Sequence, residues 1–113
     1  MIRDLIEKTR SYRRFHQDFK IELETLKELV ELARLSAAAG NLQPLKYMLA
    51  NDPEKNDTIF PYLGWAGYLN DWPGPGEGAR PSAYIIVLGD KRVCKFFGCA
   101  QGIASQNLLL GAG

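Results

Sequence analysis

Ser11-Tyr12-Arg13-Arg14-Phe15 puts two guanidiniums between two aromatic rings, and Asn41-Leu42-Gln43-Pro44 answers it with a second polar cluster. Neither stretch decides anything alone. Between them, residues 21–39 carry Leu23, Leu26, Leu29, Val30, Ala33 and Ala37 at helical spacing. Glu22, Glu24, Lys27, Glu28 and Glu31 take the opposite, wet side. Acidic residues come early and Arg34 late, as the helix dipole favours. Gly40 stops this helix and Pro44 reinforces the break. Residues 11–19 are too irregular for a helix and read as a loop, held by Tyr12 and Phe15, so that its arginines point at something.

The rest of the chain works outward from that frame. Residues 4–8 form a short helix with Ile2, Leu5 and Ile6 on one face. Residues 46–50 alternate weakly and predict a strand. Asp52 caps a helix opened by Pro53 and running towards Tyr62. Residues 63–80 hold Trp65, Tyr68, Trp72 and five glycines, a long aromatic excursion of the kind that is usually functional. Tyr84-Ile85-Ile86-Val87-Leu88, apolar on both faces and closed by Gly89-Asp90, predicts a buried central strand. Residues 102–112 predict a helix built for burial. At 113 residues the chain is one domain, residues 1–113.

Composition bounds the possibilities. With 46% hydrophobic and 24% charged residues the chain has the makeup of a globular protein. A net charge of +1 provides no global field for nucleic acid or an anionic membrane, so any anion site must be local. No apolar run approaches the ~20 residues of a membrane span, and no signal peptide opens the chain, which makes the cytoplasm the expected location. Cys94 and Cys99 are not spaced as a redox motif, and His16 is the sole histidine. Free thiols are expected there, and a metal is not.

Several motifs read two ways. Pro73-Gly74-Pro75-Gly76-Glu77-Gly78 superficially looks like a phosphate loop, but Pro75 removes a backbone donor and no strand precedes it. It reads as a turn-rich connector. Trp65, Tyr68 and Trp72 suit a core or an interface equally. Gln106-Asn107 sits in an apolar helix, where buried amides need partners; a ligand is one option, capping of nearby backbone the favoured one. Asp52 and Glu54 flank a proline at a helix start and are structural. No nucleophile triad, metal triad or carboxylate pair is visible, so any enzymatic chemistry must come from a bound cofactor.

Arg10-Ser11-Tyr12-Arg13-Arg14-Phe15, then Asn41-Leu42-Gln43-Pro44, then Arg80-Pro81-Ser82-Ala83-Tyr84, then Gly102-Ile103-Ala104-Ser105-Gln106-Asn107 resemble, in order and spacing, the nitroreductase family. Gly64-Trp65-Ala66-Gly67-Tyr68-Leu69 with Trp72 resembles a subgroup with an aromatic insertion. The resemblance implies an α+β fold with a central, mostly antiparallel sheet flanked by helices, and an obligate homodimer with FMN at the subunit interface. It implies hydride transfer from NADH or NADPH through flavin N5 to a nitro compound, quinone or similar small acceptor. By position, Arg10, Ser11 and Arg13 match the family's phosphate, ribityl and pyrimidine-edge contacts. Arg13 would supply the positive charge near flavin N1 and the C2 carbonyl, where negative charge collects on reduction. Ala37, Ala38, Ala39 and Asn41 match the segment that approaches the ring from the partner subunit. No essential side-chain acid or base is expected.

The sequence departs from the family in places. Thr9 stands where an arginine is common, Ala37-Ala38-Ala39 replaces a stretch with serine and proline, Leu45 replaces a tryptophan, and Ala100 an acidic residue. The chain stops inside an apolar helix, before the family's second half, and reads as an amino-terminal portion. A non-catalytic flavin-binding or dimerisation module that keeps the first half of the site is therefore the alternative function. A plain interaction domain with an aromatic loop is the third.

Overall fold

In a computed structural model, the structure of the chain describes residues 1–35, 45–65, 71–90, 92 and 98–112, with side chains at 98–100 excepted. The elements are α1 (Ile2–Lys8), α2 (Leu23–Arg34), β1 (Leu45–Ala50), α3 (Pro53–Ile59), a 3-10 turn at Phe60–Tyr62, β2 (Tyr84–Gly89) and α4 (Gly98–Ala112). Each coincides with an element expected from the sequence, the ends shifting by a few residues. The fold is α+β.

Helix α2 begins at Leu23, where Glu22 is extended and its carbonyl accepts from the Thr25 and Leu26 amides. Its stripe works as spaced. Leu26 and Ala33 are buried, Leu29 and Val30 half-buried, and Leu23 frays outward at the first turn. Residues 36–40, expected to finish the helix, lie outside the described residues. In α3, Pro53 opens the first turn and the Asp52 carboxylate accepts from the Glu54 amide at 3.1 Å, the cap the sequence predicts.

Strands β1 and β2 pair antiparallel, Leu45 opposite Gly89 and Ala50 opposite Tyr84. Helix α2 packs on α4 and touches β1, while α4 touches β2. Two side-chain amides tie the layers together. Asn51 donates to the Ile21 carbonyl at 3.1 Å, joining the end of β1 to the approach of α2. Asn56, buried in α3, donates to the Ser82 carbonyl at 2.8 Å and so fixes the entry into β2. At the other end of the ribbon, Asp90 receives Lys46 Nζ at 3.2 Å and Arg92 Nη2 at 3.1 Å. The hydrogen bonds from Arg92 hold the Asp90 carboxyl well below the usual carboxylate range.

Two burial expectations fail. Strand β2 is not buried: Tyr84 to Val87 are half-covered, and Leu88 and Gly89 are exposed. Apolarity on both faces marks a strand meant to be covered on both, yet among the described residues its only strand partner is β1. Helix α4 is covered along one flank only. Ala104 is buried and Gly111 lies against Leu29 and Leu32 of α2, but Ile103 and Leu109 face outward. Among the described residues no helix is long and apolar enough to cross a membrane.

Candidate functional site

The loop after α1 is fastened at both ends. At its start the Thr9 amide and hydroxyl both donate to the Leu5 carbonyl, and the Tyr12 hydroxyl donates to the Lys8 carbonyl at 2.7 Å. These satisfy two of the four carbonyls at the end of α1, those of Leu5 and Lys8. At its far end the Phe15 amide donates to the Ala79 carbonyl at 2.8 Å and the Gln17 amide to Gly78 at 3.2 Å. The Gln17 side chain closes the second pairing by accepting from the Gly78 amide at 2.6 Å.

The aromatic excursion is what the loop is fastened to. Trp65 stands at the centre, with ring centroids of Phe60 at 5.8 Å and of Phe15 and Trp72 at 6.4 Å. The Arg80 guanidinium lies 4.0 Å from the Phe60 centroid and also donates to the Pro75 carbonyl. Arg14 lies 5.7 Å from the Trp72 centroid. Trp65 and Trp72 thus pack with Phe15 and Phe60 beneath the loop, both half-buried. Tyr68 lies outside the described residues. Residues 73–78 form the connector expected, with Gly74 and Gly78 at positive φ.

Between its fastenings the loop presents Arg10, Ser11 and Arg13 to solvent. All three line one recess of about 490 Å³, completed by Thr9 and, from α4, by Gln106 and Leu109. Ser11 and Arg13 also border a second recess of about 530 Å³, whose other walls are Tyr12, Arg14 and Trp72. Among the described residues no acidic side chain lines either. The structure thus brings together the three loop residues singled out by sequence. Ala37, Ala38, Ala39 and Asn41, with Gln43 and Pro44, lie outside the described residues, as do Cys94 and the Cys99 and Ala100 side chains.

Two residues change meaning. Gln106 is exposed and faces the loop rather than capping backbone, because α4 is covered on one flank only. An amide breaking an apolar helix was the signal for it. Its neighbour Asn107 is half-buried and already engaged. Thr9 uses its hydroxyl to end α1, so it stands in the recess as a helix cap and not simply as a missing cation.

Guanidiniums, a hydroxyl and an amide, with no competing carboxylate, make a donor-rich wall suited to a phosphate or to the carbonyl edge of a ring. The chain belongs to the nitroreductase family, whose family model matches residues 6–74. Among solved structures it is similar to one designated an NADH oxidase from Clostridium acetobutylicum, at 27% identity and TM-score 0.74, covering 96% of this chain and 61% of that one. A Parabacteroides distasonis structure designated an NADH dehydrogenase/NAD(P)H nitroreductase has 24% identity and TM-score 0.73, with 96% and 60% covered. A Desulfovibrio desulfuricans structure designated a nitroreductase, in complex with FMN, has 23% identity and TM-score 0.73, with 98% and 61% covered. The chain spans about three fifths of the length of these structures. Among curated proteins none matches it.

Proposed function

We propose that the chain is the FMN-holding portion of an oxidoreductase that takes hydride from NADH or NADPH and passes it to a small acceptor, a nitro compound or quinone. The observation that carries this reading is the recess of Arg10, Ser11, Arg13 and Gln106, donors converging from two elements in a chain of the nitroreductase family. Its volume lies within the usual range for a cofactor or ligand site.

In this reading Arg10 and Ser11 take the phosphate and ribityl end. Arg13 faces the pyrimidine edge and Gln106 supplies a further polar contact. Ala37, Ala38, Ala39 and Asn41 approach the ring from a second copy of the chain in a homodimer. FMN, when bound, would supply the hydride chemistry. This chain's residues bind it, orient it and place positive charge where the reduced ring carries negative charge. The fastening of the loop at Thr9 and Gln17 fixes the ends of the backbone that carries that charge. The expected location is the cytoplasm.

A visible spectrum of the purified protein, recorded anaerobically before and after NADH and again with NADPH, tests the reading. A flavin band that bleaches is the expected result. A band that persists with both donors favours the non-catalytic flavin module. No band after incubation with FMN rejects both.

A further inference from the structure

The second recess is lined by Ser11, Tyr12, Arg13, Arg14 and Trp72 and holds about 530 Å³. We propose that it is a separate binding site for a planar aromatic anion, a ring bearing a carboxylate or phosphate. It shares only Ser11 and Arg13 with the recess assigned to FMN. Tyr12, Arg14 and Trp72 belong to it alone.

Each private wall is held by a different partner. The Tyr12 hydroxyl is tied to the Lys8 carbonyl at 2.7 Å, which fixes where the ring lies. Trp72 is half-buried and edge-on to Trp65 at 6.4 Å. Arg14 is drawn towards the Trp72 ring at 5.7 Å, within the range where a cation is attracted by an indole face. Arg14 lines the recess as well, and a guanidinium can grip an oxyanion with two parallel N–H groups. Indole and phenol offer the aromatic surface on which a planar ring stacks. Walls already in place lower the ordering cost of binding. With no acidic side chain among the described lining residues, an anion meets no repulsion there.

The chemistry admits two sources: the adenosine-phosphate end of a dinucleotide, or a free aromatic acid. The site does not rest on the flavin reading, because none of its private residues contacts the other recess. The test is isothermal titration of the whole chain with adenosine 2′,5′-bisphosphate and, separately, with benzoate. We expect one of them to bind, at least roughly tenfold more weakly in Arg14→Gln and in Trp72→Leu. Binding of the bisphosphate assigns the dinucleotide source, and of benzoate the aromatic acid. Should Trp72→Leu fail to give a native circular dichroism spectrum, Arg14→Gln and Tyr12→Leu decide. The proposal is overturned if neither probe binds or if affinity is unchanged in Arg14→Gln. FMN titration of Arg14→Gln reports on the other recess, so failure of either assignment leaves the other standing.

Discussion

Arg13 borders both recesses, is exposed, and makes only a long contact of 3.4 Å to the Ser11 carbonyl. Little of the fold depends on it, so its removal separates binding from stability. Arg13→Ala should weaken FMN retention roughly 10–100-fold, the loss of one charge-assisted hydrogen bond, while the thermal midpoint stays put. Unchanged retention and an unchanged reduction potential of bound FMN would reject its assignment. That Arg13 borders a recess was legible in sequence because charges set between aromatic residues imply a packed loop with something to face, whereas Ser11 was singled out only through the family resemblance. Gln106 was only half legible: an amide in an apolar helix looks the same whether it caps backbone or faces a ligand, and the covered flank of α4 decides. Asp90 was not legible at all, since Lys46, 44 positions upstream, meets it only through the strand pairing. Its folded pKa is depressed, so its contribution is present above the unfolded value of about 3.9 and lost as pH falls below it. Asp90→Asn should therefore be less stable than wild type at pH 7, with the gap closing in urea titrations carried below about pH 4. A gap of constant size down to acid unfolding would count against the ion cluster.

The helices and β1 could be read from period and caps because those signals are local: a leucine stripe, an Asp-Pro start, an alternation. The described part of residues 63–80 could not, because its contacts reach back to Phe15, about fifty residues earlier than Trp65, and to Gln17, 61 residues before Gly78. Burial of β2 and α4 was overestimated for a related reason: composition says that a face should be covered, not which element does so. Within the connector, Gly74 is the position with no substitute. Its φ of +98° is a conformation other residues rarely adopt, and a Cβ there would stand 2.5 Å from Cδ1 of the Trp65 indole, a rigid neighbour. Gly74→Ala should cost about 1–3 kcal/mol. It should also loosen the first loop, since the Trp65 cluster holds Phe15. Urea midpoints and near-ultraviolet circular dichroism measure the two effects. A wild-type midpoint together with an intact tryptophan signal would mean that the cluster does not hold the loop.

A folded chain of this length should expose about 6,200 Å², whereas this one exposes 8685 Å². Its radius of gyration, 15.1 Å, likewise exceeds the roughly 13 Å of a compact domain this size. The surplus of about 2,500 Å² is of the order that an obligate partner buries on one chain. Part of its exposed apolar surface lies on the sheet. Strand pairing sets Met48 opposite Ile86 and Lys46 opposite Leu88, which puts Met48 and Leu88 on one face of the ribbon, both about half exposed. A second copy of the chain is the occupant our functional proposal requires, because the ring-facing segment comes from the partner. Sedimentation equilibrium at micromolar concentration should accordingly give a dimer. The double variant Met48→Glu, Leu88→Glu would have to desolvate two carboxylates on association, a penalty of several kcal/mol, and should dissociate at least about 100-fold more readily. Both side chains are solvent-facing in the isolated chain, so the variant should keep its secondary structure, which far-ultraviolet circular dichroism checks. A monomeric wild type would sink the homodimer. A dimer indifferent to both glutamates would move the interface off this face of the sheet, towards the exposed Ile103 and Leu109 of α4.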